Sequence, residues 1–361
     1  MLPRPTLGTV DRKPARDVLG VAAAAGGAFA GFYCFYSAAP LIFAGSRPSA
    51  GVRVAVVMAV VVLVQPLVLL AGRWMRARAR AVGAALATMA TGLAVLPLWS
   101  HWPSLPLLGL GFGVFVVTST VWAKELATAD GVGRALGIYG FGSAIGGAIG
   151  APIGVLLAVQ AGAHGVMIGG TAFAILGLVP VAAIRTKAAI EPAPDRPPRC
   201  TADGALRRRG ITVVSISLAG HLLAVTLYAA VLSSAGSLIE STTAVAAVLA
   251  AFATQTAVAL GRLAGGTLCD RWSAGGTALA GASLLALAVV GFATTSTPSM
   301  VITAGAVAGA AAGAIQTAAL TLMMRRAHTR ARTEQVSAAW NIAFDLGLGA
   351  GALTAGLLSL T

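Results

Sequence analysis

An all-α, polytopic membrane fold is what this sequence predicts, on three observations. Hydrophobic residues make up 57% of the 361-residue chain and charged residues only 10%, against roughly a quarter charged in ordinary globular proteins. Mean hydropathy is +0.87, so too little polar surface exists to solvate a ball of this size. The apolar residues are also gathered into runs of about 20, the length of helix that crosses a hydrocarbon core. Disordered, collagen-like and disulfide-scaffold classes are excluded by the same arithmetic. Cys34, Cys200 and Cys269 show no CxxC or metal spacing, and the four histidines are equally scattered, so neither a metal site nor a cofactor is expected.

Eleven runs satisfy the length criterion, near residues 18–44, 52–72, 81–99, 104–125, 134–159, 164–184, 211–234, 242–264, 275–294, 298–324 and 335–358. The first follows a basic start but is too long for the apolar core of a cleaved leader, so it reads as a spanning helix. Connections are short and marked by Pro, Gly and Ser, with one exception. Residues 185–210 hold Pro192, Pro194, Pro197, Pro198 and the run Arg207-Arg208-Arg209. That stretch reads as a cytoplasmic linker between an N-terminal six-helix bundle (1–184) and a C-terminal bundle of five helices (211–361).

Basic residues set the orientation. With the N-terminus cytoplasmic, 23 of the 25 Lys and Arg fall in inside segments and only Arg47 and Arg53 fall outside, as positive-inside loops require. Lys124, Arg134, Arg262 and Arg271 are all counted among the inside residues. A net charge of +14 therefore speaks for a plasma (inner) membrane and its anionic headgroups, not for nucleic acid. The eleventh run ends at Leu358, which places the C-terminus outside.

The two halves repeat. Tyr139, Gly146 and Gly150 in the fifth run recur 201 residues later as Trp340, Gly347 and Gly351 in the eleventh. The second run ends in Gly72-Arg73 and the eighth in Gly261-Arg262, with Gly266 and Asp270-Arg271 following. A six-helix unit repeated in the same sense gives this pattern.

Three segments carry a resemblance to the major facilitator superfamily, extending over essentially the whole chain. Gly109–Gly113 through Arg134-Ala-Leu-Gly137 to Gly146–Gly154 is similar to the family's fourth span, following loop and fifth span. Gly266-Thr-Leu-Cys-Asp-Arg271 resembles its Gly-x-Leu-Ala-Asp-Arg loop, and Asn341–Gly347 resembles the eleventh span of drug- and arabinose-efflux-like members. The chain departs from the pattern at Arg76, where the first-half motif has Asp, and at Ser273 and Ala274 in the second-half motif. Leu105 stands about where many members carry a buried Arg. Pro152 is one residue off the antiporter spacing, and the twelfth span is expected to be lacking. The resemblance implies two bundles around a central cavity and a secondary active transporter of a small molecule, with proton-coupled efflux by alternating access as the expected direction.

Residue by residue, Asp345 comes first, because it is the one carboxylate placed inside a run, about 15 Å from Gln335 by helix rise. A carboxylate at that depth is costly and tends to face a cavity or proton path. It binds a proton or cationic substrate, or it ties helices together. His221 lies at similar depth, as a ligand or as a hydrogen-bonded core imidazole. Gln65, Gln255, Gln316 and Asn341 are polar groups for interhelical bonding, and the family places Gln316's span against substrate. Tyr33 and Tyr36 share a helical face, suited to stacking on substrate or to packing. Asp270, Arg271 and Arg134 form the expected gate: by the pseudo-symmetry, Asp270 should meet the start of the fifth span near Gly133 and Arg134. A clustered nucleophile, paired carboxylates and a P-loop are all missing, so an enzyme is not expected. An uptake permease, a facilitator and a non-transporting membrane partner are the alternatives, and a monomer is expected.

Overall fold

The computed structural model describes residues 12–43, 50–71, 77–97, 102–128, 131–184, 204–238, 244–294, 297–327 and 329–358. Ten helices follow one another in these residues, with no strand among them: α1 (Arg12–Ile42), α2 (Ala50–Leu70), α3 (Arg78–Ala94), α4 (Ser104–Glu125), α5 (Val132–Ala183), α6 (Gly204–Leu238), α7 (Ala244–Leu268), α8 (Ala274–Ala293), α9 (Pro298–Arg325) and α10 (Arg330–Leu358). Each of the eleven apolar runs falls largely on a helical stretch. Seven continuous stretches of the described residues are long and apolar enough to cross a bilayer, one of them, Phe252–Ala293, running through α7 and α8.

Two connections are made without a loop. α5 contains two of the runs, divided where Ala161 leaves helical geometry and Gly162 takes φ +55°, a left-handed conformation that glycine adopts at little cost. Pro152 keeps helical φ and ψ, and the break comes ten residues later. Between α7 and α8 the chain widens into a π turn over Cys269–Ser273. The Ser273 side chain then caps α8 by accepting a hydrogen bond from Gly276 N at 2.9 Å.

The proline-rich stretch 185–203 lies outside the described residues. α6 begins at Gly204, so Arg207, Arg208 and Arg209, at the end of the expected linker, are helical.

Packing follows from glycine. In lipid no hydrophobic force draws helices together, and close backbone approach supplies the contact energy. Gly142, Gly146, Gly150 and Gly154 of α5 lie against the backbone carbonyls of Ala22, Gly26, Ala30 and Cys34 of α1, so close that a Cβ on any of them would overlap the facing oxygen. The repeated positions do the same work in the second half, where Gly347 and Gly351 of α10 lie on Leu222, Val225 and Thr226 of α6. α7 and α9 interlock through Gly261 against Ala310 and Gly313 against Val258. The halves meet closely where Gly133 and Gly137 of α5 face Gly266 of α7.

Candidate functional site

A chamber of about 670 Å³ lies at the centre of the bundle, within the size range of small-ligand sites. Residues of α1, α2, α4 and the first stretch of α5 line one side, and residues of α6, α7, α9 and α10 the other; α3 and α8 contribute none.

The first-half wall is aromatic. Phe32 stacks on Phe112 with ring centroids 4.0 Å apart, and Phe29, Tyr33 and Tyr36 extend the cluster. Spacing along α1 explains this: residues 29, 32, 33 and 36 fall on one helical face. Gly147 of α5 lies against the Tyr33 ring. Tyr33 and Tyr36 both line the chamber.

The second-half wall is polar and charged. Arg262, Gln316, Asn341 and Asp345 all face the chamber. Asp345 is half-buried there and accepts a hydrogen bond at 3.1 Å from Gln65 Nε2 of α2, while Gln65 Oε1 is buried without a partner. This polar contact crosses between the halves at the chamber wall. Asn341 donates to Ser337 O in its own helix at 2.8 Å. His221, by contrast, does not line the chamber. It is fully buried behind Trp340 and stacks on that ring at 4.5 Å.

Arg262 is where the topology count needs correcting. Counted with the loop residues, it lies inside α7, eight residues before Asp270, hence about 12 Å from it along the axis. It is 7% exposed. Its Nε donates to Gln316 Oε1 at 2.9 Å, with Nη2 on the same oxygen. Nη1 donates to Ser143 Oγ at 2.8 Å and to Gly140 O at 3.2 Å, and the guanidinium lies 5.6 Å from the centre of the Phe344 ring. All these partners are neutral. Depth along the helix from the Asp270 motif is the signal that would have moved Arg262 from loop to interior; the charge tally alone hid it.

One end of the chamber is tied shut, where α3, α5 and α10 begin and α4, α7 and α9 end. Asp270 accepts from Gly133 N at 3.1 Å and Arg134 N at 2.6 Å, the unpaired donors at the amino end of α5. Arg325 Nη2 completes the cluster at 2.7 Å from Asp270 Oδ1. Arg325 was not foreseen here, while Arg271 is exposed and Arg134 takes part through its backbone. Beside it, Arg78 of α3 holds Glu125 of α4 at 2.9 Å and Glu334 of α10 at 2.8 Å. Lys124 Nζ donates to Ala327 O at 2.7 Å and to Thr333 Oγ1 at 3.0 Å. These residues stood in the sequence as loop or helix-end charges, with nothing to show that they meet across the two halves.

Known structures have the same architecture. The chain is similar to an outward-facing Major Facilitator Superfamily transporter, FucP (13% identity, 94% of this chain and 91% of that one, TM-score 0.72). A bacterial homologue of the iron transporter ferroportin, also outward-facing, is similar over 96% and 93% (12% identity, TM-score 0.67). So is the human organic anion transporter MFSD10 over 94% and 92% (15% identity, TM-score 0.65). At these identities the likeness speaks for the fold. No curated protein matches the sequence. The Major Facilitator Superfamily profile matches residues 21–352, and with a profile covering nearly the whole length of an all-helical, apolar chain built around a central chamber, this protein belongs to the Major Facilitator Superfamily.

Proposed function

We propose that this chain is a proton-coupled secondary transporter of a small molecule, working by alternating access in the inner (plasma) membrane with its N-terminus cytoplasmic. Residues 1–184 and 211–361 are the two moving bundles, joined by 185–210. The observation that carries the reading is Asp345: an acid on the wall of a central chamber, hydrogen-bonded across to Gln65 of the other half. As a carboxylate, Asp345 accepts from the Gln65 amide nitrogen; once protonated, it becomes a donor, and turning the amide presents the unpartnered Oε1 to it. The same contact thus accommodates either state, which a proton carrier requires.

Efflux by exchange follows from the resemblance and needs a substrate that competes with the proton at Asp345, as a cation would. Arg262 favours a second sense. Protonating Asp345 leaves Arg262 as the charge of the chamber, so an anion and a proton would reinforce each other and move together. Purified protein in vesicles holding a pH-sensitive dye separates the two. Under an imposed gradient, addition of a transported compound should move protons, inward with it for cotransport or against it for exchange. A panel of organic anions, cations and neutral sugars that moves no protons above protein-free vesicles would refute proton coupling.

A further inference from the structure

The geometry points to an amphipathic organic anion, an aromatic or alkyl carboxylate, as the ligand of this chamber, anchored by Arg262 and Gln316 with its apolar body against the aromatic wall of α1 and α4. The inference rests on the transporter reading and specifies its substrate class.

Three features converge. Arg262 forms no ion pair among the described residues, and its hydrogen-bond partners are an amide, a hydroxyl and a carbonyl. A buried guanidinium satisfied only by neutral groups keeps its full charge, which an incoming anion can neutralise at a preoriented site. Gln316 supplies the second feature. Arg262 fixes its Oε1 as the acceptor, which leaves Nε2 as a buried donor with no partner, and Trp340 Nε1 holds the Gln316 backbone oxygen at 3.3 Å. An unpartnered amide donor thus stands beside a guanidinium that has no counter-ion among the described residues, the arrangement that a carboxylate completes. Thirdly, the facing wall from α1 and α4 is a cluster of aromatic rings, which receives an apolar body. Asp345 does not cancel the site, since its hydrogen bond goes to Gln65 and it lies outside ion-pair distance of Arg262.

The ligand would touch α7 and α9 with its charged end and α1 and α4 with its apolar end. Bridging both halves is what lets a ligand bias their relative position.

Benzoate, benzamide and benzylammonium are suitable probes, compared by titration of tryptophan fluorescence on the full chain in detergent, with Trp340 in the chamber wall. Benzoate should bind saturably, and about tenfold or more tightly than benzamide or benzylammonium. Gln316→Glu places an internal counter-ion beside Arg262 with little change of shape, and should weaken benzoate by a similar factor, as should Arg262→Gln. Three results overturn the assignment: tighter binding of benzylammonium, no benzoate binding at millimolar concentration, or unchanged benzoate affinity in Gln316→Glu. The measurement requires no transport, so its failure leaves proton-coupled flux to be judged separately, and failure of that flux leaves the anion site standing.

Discussion

Gln65 of α2 and Asp345 of α10 join the two halves of the protein by a single hydrogen bond of 3.1 Å at the chamber wall. Arg262 of α7 also crosses at the chamber, to Ser143 and Gly140 of α5, while the contacts of Arg78 with Glu334 and of Asp270 with the start of α5 lie toward one end.

Asp345→Asn should insert and fold normally, because an amide retains the polar contact with Gln65. Gradient-driven transport should fall to the passive level while exchange of substrate across the membrane persists. Flux and counterflow in vesicles measure both. Retained gradient-driven accumulation in the variant would remove Asp345 from the coupling.

Asp270→Ala removes the acceptor for two amide donors at the start of α5 and the partner of Arg325. Hydrogen bonds to a charged group are worth about 1.5–3 kcal/mol. The equilibrium should therefore shift toward opening of this end by about tenfold or more. Single cysteines placed along the start of α5 and the end of α7 should label faster with a water-soluble maleimide, and those at the opposite end more slowly. Equal labelling in both forms speaks against a gate.

Glu334→Gln leaves Arg78 with Glu125 but takes away its cross-half partner. With Glu125 still neutralising Arg78, the loss is that of one charge-assisted hydrogen bond, about 1.5–3 kcal/mol. The same cysteine assay should show opening at the same end, comparable to that of Asp270→Ala. Because both contacts hold one closure, the double variant should open by less than the sum of the two free energies.

Gly146→Ala introduces a Cβ where the Gly26 carbonyl oxygen already sits. Overpacking of this kind costs about 1–3 kcal/mol, so the melting temperature in detergent should drop. Gly83→Ala is the contrast: nothing lies within 4 Å of its new Cβ, and helix propensity favours alanine by about 1 kcal/mol. It should leave the melting temperature unchanged or raise it.

Composition and the spacing of apolar runs determined the all-helical character of this protein and the approximate extent of its helices. Ser104–Glu125, for instance, coincides with a run bounded by Pro103 and the polar stretch after Glu125. Hydropathy is summed along the chain and needs no neighbour to be read. The repeat of Gly146 and Gly150 as Gly347 and Gly351 was equally visible, since equivalent helix contacts demand small residues at equivalent positions. The direction in which a side chain points around its helix belongs to the tertiary structure. Only the packing of α7 against α5 and α9 turned Arg262 from a loop charge into a wall of the chamber and brought Arg325 rather than Arg271 to Asp270, and only that of α6 against α10 put His221 behind Trp340. Burial of a charge is decided by the groups that surround it, and those groups come from segments far apart in sequence.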